Sequence, residues 1–507
     1  MYITQYMQCE ETYLNQIYDQ LGYRIDVRGN LSQLRQQIKV QDERQKAYDW
    51  IAANEPLLRD FLQSEDAKTR KNAALLLGDA AYQPFMELLW ESYERENTLF
   101  VKSAYLTALS HMDAKPLLAQ IKDRQTALSA EEPSEENRKH VNEELHALRT
   151  ILIRYEGITQ HTFDLKGQKT ELLLIANRTH RELVRRSVPA KDTELHPLGV
   201  LVMTDRMDEI WQSRCFREIV FPIHTKPAFL SAKPAEAAKA LMDAGMVEQL
   251  LALHREDTPF YFRIDCKSRM SLEERSAFSK KLADALETLS GGMLVNSTSD
   301  YEIELRLIEN KDGAFFPCLK CATLKDHRFD YRRNAISASI HPSTAALLAN
   351  IAAPYLKENA QITDPFCGVG TMLIERNHLV PAKEMYATDI FGEAIAKGRE
   401  NAELAGARIN FIHRDFFDFK HDYLFDEIIT NMPMRGKKSR EEMDQLYGRF
   451  FDKALEITKR EAVIIMYTNE IGFVKKQLRL QPQLRLLQET CIQSKTGFYL
   501  LIIEVKK

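Results

Sequence analysis

The 507-residue sequence has no long apolar run and few cysteines, and both deficits limit the kind of protein that it encodes. No apolar stretch reaches the roughly 18 residues that a membrane-spanning helix needs, so we expect no membrane segment. The first residues lack a basic segment followed by an apolar one, so we expect no secretory signal. The seven cysteines are an odd, scattered set, which is typical of reduced thiols. We therefore predict a cytoplasmic protein.

An excess of charge of either sign is also missing, since the formal net charge is only −4. Composition alone therefore does not predict nucleic-acid binding, and any basic surface must be local. The single Cys-x-x-Cys pair, Cys318 and Cys321, has no second pair of ligands at a usable spacing, and residues i and i+3 of a strand face opposite sides. We interpret the two cysteines as structural and predict no metal.

Glycine and proline are scarce in residues 1–155, where apolar residues recur at helical spacing. Two stretches resemble each other: Lys71–Leu77 is echoed by Lys102–Ala108, and a second apolar segment follows each at Pro84 and Pro116. A helix pair that repeats after about 31 or 32 residues indicates a HEAT-like solenoid. An irregular helical bundle is the alternative. The region holds no catalytic set of residues, so we expect it to bind a partner.

The pattern changes after residue 156, and residues 156–325 are predicted to be α+β. Strands are expected at Thr170–Ala176, Gly199–Met203, Ile219–Ile223, Phe260–Asp265, Leu294–Ser297 and Tyr301–Ile308. A long helix is expected over 271–289, because Ser271 and Glu274 form a capping-box pattern before an apolar run. Residues 326–507 alternate strands with helices, which predicts an α/β Rossmann-like domain. We thus expect a multidomain protein with three regions.

The most informative stretch is Ala360–Glu375, in which a short strand is followed by Asp364, a turn with two glycines and a helix start. Strand, tight turn and helix N-terminus form the cradle of a nucleotide-like cofactor in a doubly wound sheet. A dinucleotide fingerprint needs three glycines, and an acid beside the loop repels phosphate. Asp364 instead suits a cationic, amine-bearing cofactor such as S-adenosylmethionine, so a dehydrogenase is a poor alternative.

Three further strands also end in polar residues, namely Asp389, Asp415 and Asn431. Ligands of open α/β sheets bind at the carboxyl ends of the strands, so these groups are expected to share one site. We predict that Asp389 binds the ribose hydroxyls and that Asp415 is placed for the adenine amine. The predicted cofactor contacts are Asp364, Phe366, Cys367, Gly368, Gly370, Thr371, Asp389, Ile390, Asp415, Phe416 and Asn431.

These motifs (DPFCGVGT, ATD, RDFFD and NMPM) resemble the class I methyltransferase domain of the THUMP-containing RNA guanine-N2 methyltransferases, above all the tRNA branch. The good match covers roughly the last 180 residues. The resemblance implies a THUMP-type RNA-binding function for residues 156–325, the part that holds the RNA 3′ end. It also implies S-adenosylmethionine as cofactor and tRNA as the substrate, with ribosomal RNA as the alternative. The helical N-terminal region would then bind RNA or a protein partner.

The predicted catalytic residues are Asn431, Met432, Pro433 and Met434. In methyl transfer to an exocyclic amine, the Asn431 side chain and the Met432 carbonyl would accept the two N–H groups, and Pro433 would fix the loop. The family has an aromatic residue where this chain has Met434, and Arg435 precedes the glycine. These departures motivate a second hypothesis, an RNA-binding or assembly protein that has kept cofactor binding and lost catalysis.

Two basic clusters, His327–Arg333 and Arg435–Arg440, are candidate RNA contacts. Such clusters are more often solvated surfaces, but the second one directly follows the catalytic loop, where contact with phosphate is favoured. The predicted RNA-binding residues are Arg328, Arg332, Arg333, Arg435, Lys437 and Lys438. His341 precedes Pro342, so we interpret it as a residue at a helix start rather than as a general base.

Overall fold

The computed structural model describes residues 15–41, 44–130, 134 and 136–507 and divides into two compact units. The first unit comprises residues Met1–Thr162, Thr225–Leu251 and Glu256–Phe316. The second comprises Phe163–His224, Ala252–Arg255 and Pro317–Lys507. This division does not follow the three predicted regions, because residues 163–224 group with the C-terminal part of the chain. The three-region boundaries therefore stay a prediction.

The first unit begins with helices, and its described residues up to 156 contain no strand. The α-helices of this stretch include α1 (Val27–Gln41), α2 (Arg44–Ala53), α3 (Glu55–Leu62), α4 (Ala67–Asp79), α5 (Met86–Arg95), α6 (Leu99–Ser110), α7 (Leu118–Ser129) and α8 (Arg138–Glu156). Helix α1 packs against α4, α4 against α6, and α6 against α8. A Cβ atom at Gly78 would lie 2.5 Å from the Ala108 Cα atom, so α4 and α6 can approach this closely only with glycine there. The HEAT-like assignment stays a prediction.

The rest of the first unit is α+β. Its further elements are α11 (Pro234–Asp243), α12 (Met246–Ala252), β5 (Phe260–Lys267), α13 (Leu272–Leu289), β6 (Leu294–Asn296) and β7 (Ile303–Glu309). Strand β5 lies between β6 and β7 and runs parallel to both. The predicted capping box is confirmed: the Ser271 hydroxyl accepts the Glu274 N–H, and the Glu274 carboxylate accepts the Ser271 N–H. The two helices α11 and α12 were not predicted.

An antiparallel sheet opens the second unit, with strands in the order β2-β3-β1-β4-β8. The elements are β1 (Thr170–Ala176), α9 (Arg181–Ser187), β2 (Thr193–His196), β3 (Gly199–Thr204), α10 (Met207–Trp211), β4 (Phe216–Pro222) and β8 (Phe315–Cys321), the last of which starts in the first unit. Cys318 and Cys321 are buried within β8, in line with a structural role. Strands β2 and β8 were not predicted.

The C-terminal part of the second unit is an α/β domain around a seven-stranded sheet. Its elements are α14 (Pro342–Ala352), β9 (Gln361–Asp364), α15 (Thr371–Leu379), β10 (Glu384–Asp389), α16 (Gly392–Leu404), β11 (Ile409–His413), β12 (Phe425–Asn431), α17 (Arg440–Ile457), β13 (Thr458–Thr468), α18 (Ile471–Leu480), β14 (Leu484–Gln493) and β15 (Phe498–Lys506). The strand order is β11-β10-β9-β12-β13-β15-β14. The first five of these run parallel, and β15 is antiparallel to both neighbours. The predicted α/β Rossmann-like fold of this region is confirmed, and an antiparallel pair, β14 and β15, closes the sheet.

Two buried charge networks fix α15 within this domain. Arg376 donates two hydrogen bonds to the Glu427 carboxylate of β12, at 2.9 and 2.7 Å, and both side chains are buried. Glu375 accepts two hydrogen bonds from Arg214, at 2.8 Å each, and one from the Tyr331 hydroxyl at 2.7 Å. Because buried ions are costly unless they are paired, these contacts hold the helix after the glycine turn in one position.

In the described parts of the chain, we find no helix with both the length and the apolarity to cross a bilayer. The same residues contain no group of three or more His, Cys, Asp or Glu side chains that could bind a metal ion.

Candidate active site

A cavity of about 670 Å³ lies at the carboxyl ends of β9, β10 and β12, and all of its lining residues belong to the second unit. Most residues that the sequence predicted for the site line it: Asp364, Phe366, Cys367, Gly368, Thr371, Asp389, Ile390, Asp415, Phe416, Asn431, Met432, Pro433, Met434 and Lys438. These residues lie up to 74 positions apart in the chain, and the parallel strand order brings them together. Gly370 does not line the cavity and instead directly precedes the first residue of α15.

The glycine turn is held in a conformation that favours glycine at two positions. Gly368 and Gly370 have φ angles of +52° and +79°, in the left-handed region. A Cβ atom at Gly370 would also lie 2.9 Å from the Phe411 Cζ atom. The Gly368 N–H donates to the Asp389 Oδ2 atom at 2.9 Å, and the Phe391 N–H donates to Oδ1 at 2.9 Å. Asp389 therefore fixes the turn and keeps further lone pairs for a ligand.

Asp364 is the most deeply buried acid of the cavity, with 1% of its surface exposed. Its Oδ1 atom accepts hydrogen bonds from the Thr430 hydroxyl at 2.8 Å and the Phe366 N–H at 3.1 Å. Burial raises the pKa of Asp364 to about 7, against the effect of these two hydrogen bonds. The carboxyl group is thus ready to ionise when a cation binds beside it. We call Asp364, Asp389 and Asp415 the acidic group of the cavity.

The Cys367 thiol lies in the same turn but lacks the features of a nucleophile. Burial, together with the charges of Asp364 and Asp389, raises the pKa of this thiol well above its ordinary value. A thiolate is the reactive form, so we interpret Cys367 as a small buried residue of the turn and not as a nucleophile.

The predicted catalytic loop leaves β12 at Asn431, which lies opposite Tyr467 of the parallel strand β13. The Met432 N–H donates to the Tyr467 carbonyl oxygen at 3.0 Å, so the loop continues the sheet for one more residue. The Met432 side chain is buried, whereas 56% of Met434 is exposed. Tyr467 in turn stacks on Phe498, with 4.9 Å between the ring centroids and 27° between the ring planes. Both rings line the cavity beside Asn431.

The structure corrects one of the predicted RNA contacts. Arg328 is only 7% exposed, and its guanidinium group bonds Asp326 and the backbone carbonyls of Ser213 and Phe216. It also lies 3.6 Å from the centroid of the Phe216 ring. With its donors used inside the fold, Arg328 cannot reach RNA. The burial of Arg328 could not be predicted, because the local sequence of a basic cluster does not distinguish a buried arginine from an exposed one.

The other predicted basic residues are more accessible. Arg333, Arg435, Lys437 and Lys438 are exposed, and Arg332 is half-buried, with one hydrogen bond to the Ile340 carbonyl. Of these five residues, only Lys438 lines the cavity. The cluster after the catalytic loop is therefore nearer the site than the cluster at 327–333.

Several lining residues were not predicted. Those outside the glycine turn and the ends of β9–β12 include Arg217, Ile336, Ser337, Ala338, Ser339, Ile340, Leu446, Tyr467, Gln493 and Phe498. None follows a glycine turn or ends one of the parallel strands that carry the acids, except Tyr467, which is near the end of β13. The polar residues at the ends of the preceding strands are the one signal that could have identified Tyr467. His341 also lines the cavity, and its Nδ1 accepts the Ser343 N–H at 3.2 Å, so it caps α14 as predicted.

The residues of the cavity fit S-adenosylmethionine. Its amino group and sulfonium are cationic, and the acidic group provides carboxylates to attract them. The hydroxyl oxygen of Thr371, a buried lining residue, has no hydrogen-bond partner within the described structure, and a polar ligand would satisfy it. Asp389 has lone pairs free for ribose hydroxyls, and the glycine turn lets the backbone approach closely. Asp364, Gly368, Thr371 and Asp389 would hold the cofactor.

Comparison with known proteins agrees with this geometry. Residues 330–496, about a third of the chain, match a family model described as "RMKL-like, methyltransferase domain". A curated relative, the tRNA (guanine(10)-N2)-dimethyltransferase of Methanothermobacter thermautotrophicus, is 29% identical over 119 residues. That stretch is 23% of this chain and 34% of the relative, so the match spans about a third of the relative's length.

Solved structures are also similar to most of the chain. TrmN from Thermus thermophilus is 19% identical, with a TM-score of 0.48 over 66% of this chain and 99% of that one. SMU.472, a putative methyltransferase complexed with SAH, is 15% identical, with a TM-score of 0.46 over 67% of this chain and 98% of that one.

The cavity, the sheet and the family match define the C-terminal domain as a methyltransferase domain. The cofactor that this domain and its cavity fit is S-adenosylmethionine.

Proposed function

We propose that the protein methylates RNA, and that its target is the exocyclic N2 atom of a guanosine in tRNA. The observation that carries the proposal is the position of Asn431 and Met432 in the same cavity as Asp364 and Asp389. Hydrogen-bond acceptors for an amino group thus lie beside the carboxylates that suit the cofactor.

When bound, S-adenosylmethionine supplies a methyl group on a cationic sulfur, and the sulfur leaves with the electron pair of the S–CH₃ bond. The amine of guanine is a weak nucleophile, because its lone pair is delocalised into the ring. The Asn431 side-chain oxygen and the Met432 carbonyl oxygen accept its two N–H groups and localise that lone pair on nitrogen. The new N–CH₃ bond then forms, and one amine proton passes to water. The loop acts mainly by orientation, so Pro433, which restricts the backbone after Met432, is part of the machinery.

The target base must leave its stack to reach this loop, and an aromatic side chain normally supports such a base. The loop itself offers only Met434, which is exposed and apolar. We propose that Phe498 supplies the missing ring, because it lines the same cavity and is held by Tyr467 directly beside Asn431.

The choice of tRNA is supported by the relative from Methanothermobacter thermautotrophicus, whose name states tRNA guanine-N2 dimethylation. The identity is only 29% over a limited stretch, so ribosomal RNA is a second candidate substrate for the same methylation reaction. We also propose that residues 156–325 act as a THUMP-type RNA-binding region, and that the helical region 1–155 contacts RNA or a protein partner.

The test uses the purified full-length protein, tritiated S-adenosylmethionine, and total tRNA and ribosomal RNA from cells that lack the gene. We expect label in N2-methylguanosine of the tRNA fraction after nucleoside analysis. Label confined to ribosomal RNA would change the substrate, and label in another nucleoside would refute the guanine-N2 target.

A second candidate function is RNA binding without catalysis, motivated by the exposed Met434 in place of an aromatic residue. Its signature would be tight binding of S-adenosylhomocysteine and RNA with no label in any nucleoside. A Met434→Phe variant that then gained activity would identify the missing ring as the cause.

A further inference from the structure

Arg217 is an exposed cation of β4 that lines the methyltransferase cavity. Its sequence position gives no hint of this role, since more than a hundred residues separate it from the glycine turn. Among the residues that the structure describes, no carboxylate forms an ion pair with Arg217. The neighbouring acid, Glu218, is occupied by Lys320 at 2.8 Å. Arg217 therefore presents an uncompensated charge at a cavity whose acids are deeper.

The position of Arg217 is also visible in its effect on His341. The pKa of His341 is lowered mainly by burial, and the positive charge of Arg217 is the next largest cause. The guanidinium group thus lies near the residue that caps α14, on the side of the cavity formed by the segment 336–341. Lys438, from the segment after the catalytic loop, is the other exposed lysine or arginine among the lining residues.

Exposed residues that line a cavity must lie where it opens to solvent. Among the exposed lining residues are Arg217, Met434 and Lys438, and we call these three the exposed rim. The rim carries two positive charges, whereas the acidic group inside carries carboxylates. When a nucleotide enters such a cavity, the acids repel its phosphates and the cations at the opening attract them. The neutral base can pass between them.

We propose that Arg217 binds a phosphate of the substrate RNA next to the nucleotide that enters the cavity, with Lys438 as a second phosphate contact. The proposal rests on the proposed RNA methylation and adds a substrate-binding residue to it. A planar guanidinium group with several donors suits phosphate well, and such a contact fixes position without reading sequence. Since Arg217 belongs to β4 and not to the α/β sheet, the antiparallel part of the second unit would help to place the RNA.

The test compares Arg217→Gln with Arg217→Lys and with a control, Arg178→Gln. Arg178 is an exposed arginine of the same unit that does not line the cavity. Binding of a fluorescent tRNA transcript is measured between 50 and 200 mM salt with saturating S-adenosylhomocysteine. Loss of one phosphate contact should weaken binding about fivefold at 0.1 M salt and reduce the slope of log K against log[salt] by about 0.7–0.9. Arg217→Lys should keep most of the affinity, and Arg178→Gln should match the wild type.

Binding of S-adenosylhomocysteine is measured for the same variants without RNA. An unchanged affinity is expected. A loss of cofactor affinity with normal RNA binding would overturn the proposal, because Arg217 would then serve the cofactor carboxylate. Equal RNA binding and equal salt slopes for the Arg217→Gln and Arg178→Gln variants would also overturn it.

These outcomes are separable from a failure of the proposed function. If the wild type methylates tRNA and Arg217→Gln behaves like the control, only the phosphate contact is wrong. If the wild type neither binds nor methylates any RNA, both proposals fall together.

Discussion

The acidic group and the exposed rim belong to one cavity, but they differ in how they are built. The acids lie at the ends of strands, and backbone N–H groups of the adjacent turns hold Asp364, Asp389 and Asp415 in place. The rim residues are exposed side chains from two elements: Arg217 belongs to β4, and Met434 and Lys438 belong to the segment after β12. The part that suits the cofactor is thus built from strand ends and turns of the α/β domain, whereas the part proposed for the substrate combines that domain with the antiparallel sheet.

This difference has a thermodynamic side. Substitutions of buried residues below the cavity should lower the free energy of unfolding, because the groups that lose a partner there have no access to water. Changes at the rim should leave folding unaffected and alter only substrate binding. The following predictions separate effects on folding, on methylation of RNA and on cofactor binding.

The largest effect is expected for Arg376→Met, which removes the buried partner of Glu427 below the cavity. An unpaired carboxylate would remain in the core, so the free energy of unfolding should fall by about 3–5 kcal/mol. Denaturant unfolding of the second unit measures this loss. Burial raises the pKa of Glu427, so the variant should recover stability as the pH falls and the carboxyl is protonated.

The matched double variant Arg376→Met/Glu427→Leu removes both charges and should regain most of the loss. If it were as unstable as the single variant, packing of the Arg376 stem would matter more than the charge pair.

Next in size is Asn431→Ala at the end of β12. Loss of one preorganised hydrogen-bond partner of the reacting amine should lower kcat for RNA methylation about a hundredfold. The affinity for S-adenosylhomocysteine should change far less. Initial rates with tritiated cofactor, combined with equilibrium binding, separate the two effects.

Asn431→Asp is the control for this variant, since a carboxylate oxygen can still accept the amine N–H. It should be faster than Asn431→Ala. Normal methylation by the alanine variant would refute the proposed mechanism.

Phe498→Leu tests the ring proposed to replace an aromatic residue in the loop. Stacking of a base on an aromatic ring is worth about 1–3 kcal/mol, so kcat/KM for RNA should fall about tenfold or more. The apolar volume is kept, and cofactor binding should be unchanged.

Met434→Phe provides the comparison, because it restores the ring within the loop itself. We expect little gain while Phe498 is present and a partial rescue of Phe498→Leu. A large gain in the wild-type background would mean that Phe498 does not support the base.

The smallest expected effect is the pH dependence of cofactor affinity. The pKa of Asp364 is about 7 because the carboxyl is buried, so it is neutral below pH 7 and ionised above. Affinity for the cationic cofactor should therefore rise by at most tenfold per pH unit up to about 7 and level off near 8. The free protein should show the opposite trend, since the raised pKa stabilises the fold at low pH and this contribution is lost through pH 7.

Isothermal titration calorimetry of the wild type and Asp364→Asn between pH 5.5 and 8.5 checks this. The variant should bind weakly, with a much flatter profile. Parallel profiles would assign Asp364 a structural role through Thr430 and Phe366 alone.

The sequence alone led to the α/β fold of the C-terminal domain and to most of the cavity. A strand, a glycine turn and a helix start are local patterns, and the polar residue at each strand end falls into one site once the sheet is parallel. The strands Thr170–Ala176 and Gln361–Asp364 and the capping box at Ser271 were predictable for the same reason.

Several elements were missed, namely β2, β8, α11 and α12. The division of residues 163–316 between two units was missed as well, because a division depends on contacts and not on composition.

Which side chains face the cavity and which face the core could not be predicted, because this depends on the folded domain as a whole. Arg328 and Arg217 both precede α14 in the chain. Arg328 is buried and donates to backbone carbonyl groups, whereas Arg217 is exposed at the cavity opening. Tyr467 and Phe498 reach the catalytic loop only because β13 pairs with both β12 and β15. Local patterns determine strands, turns and helix starts, since these form between near neighbours. Burial and proximity depend on residues that are distant in the chain, and the physical reason is that packing brings them together only when the whole domain folds.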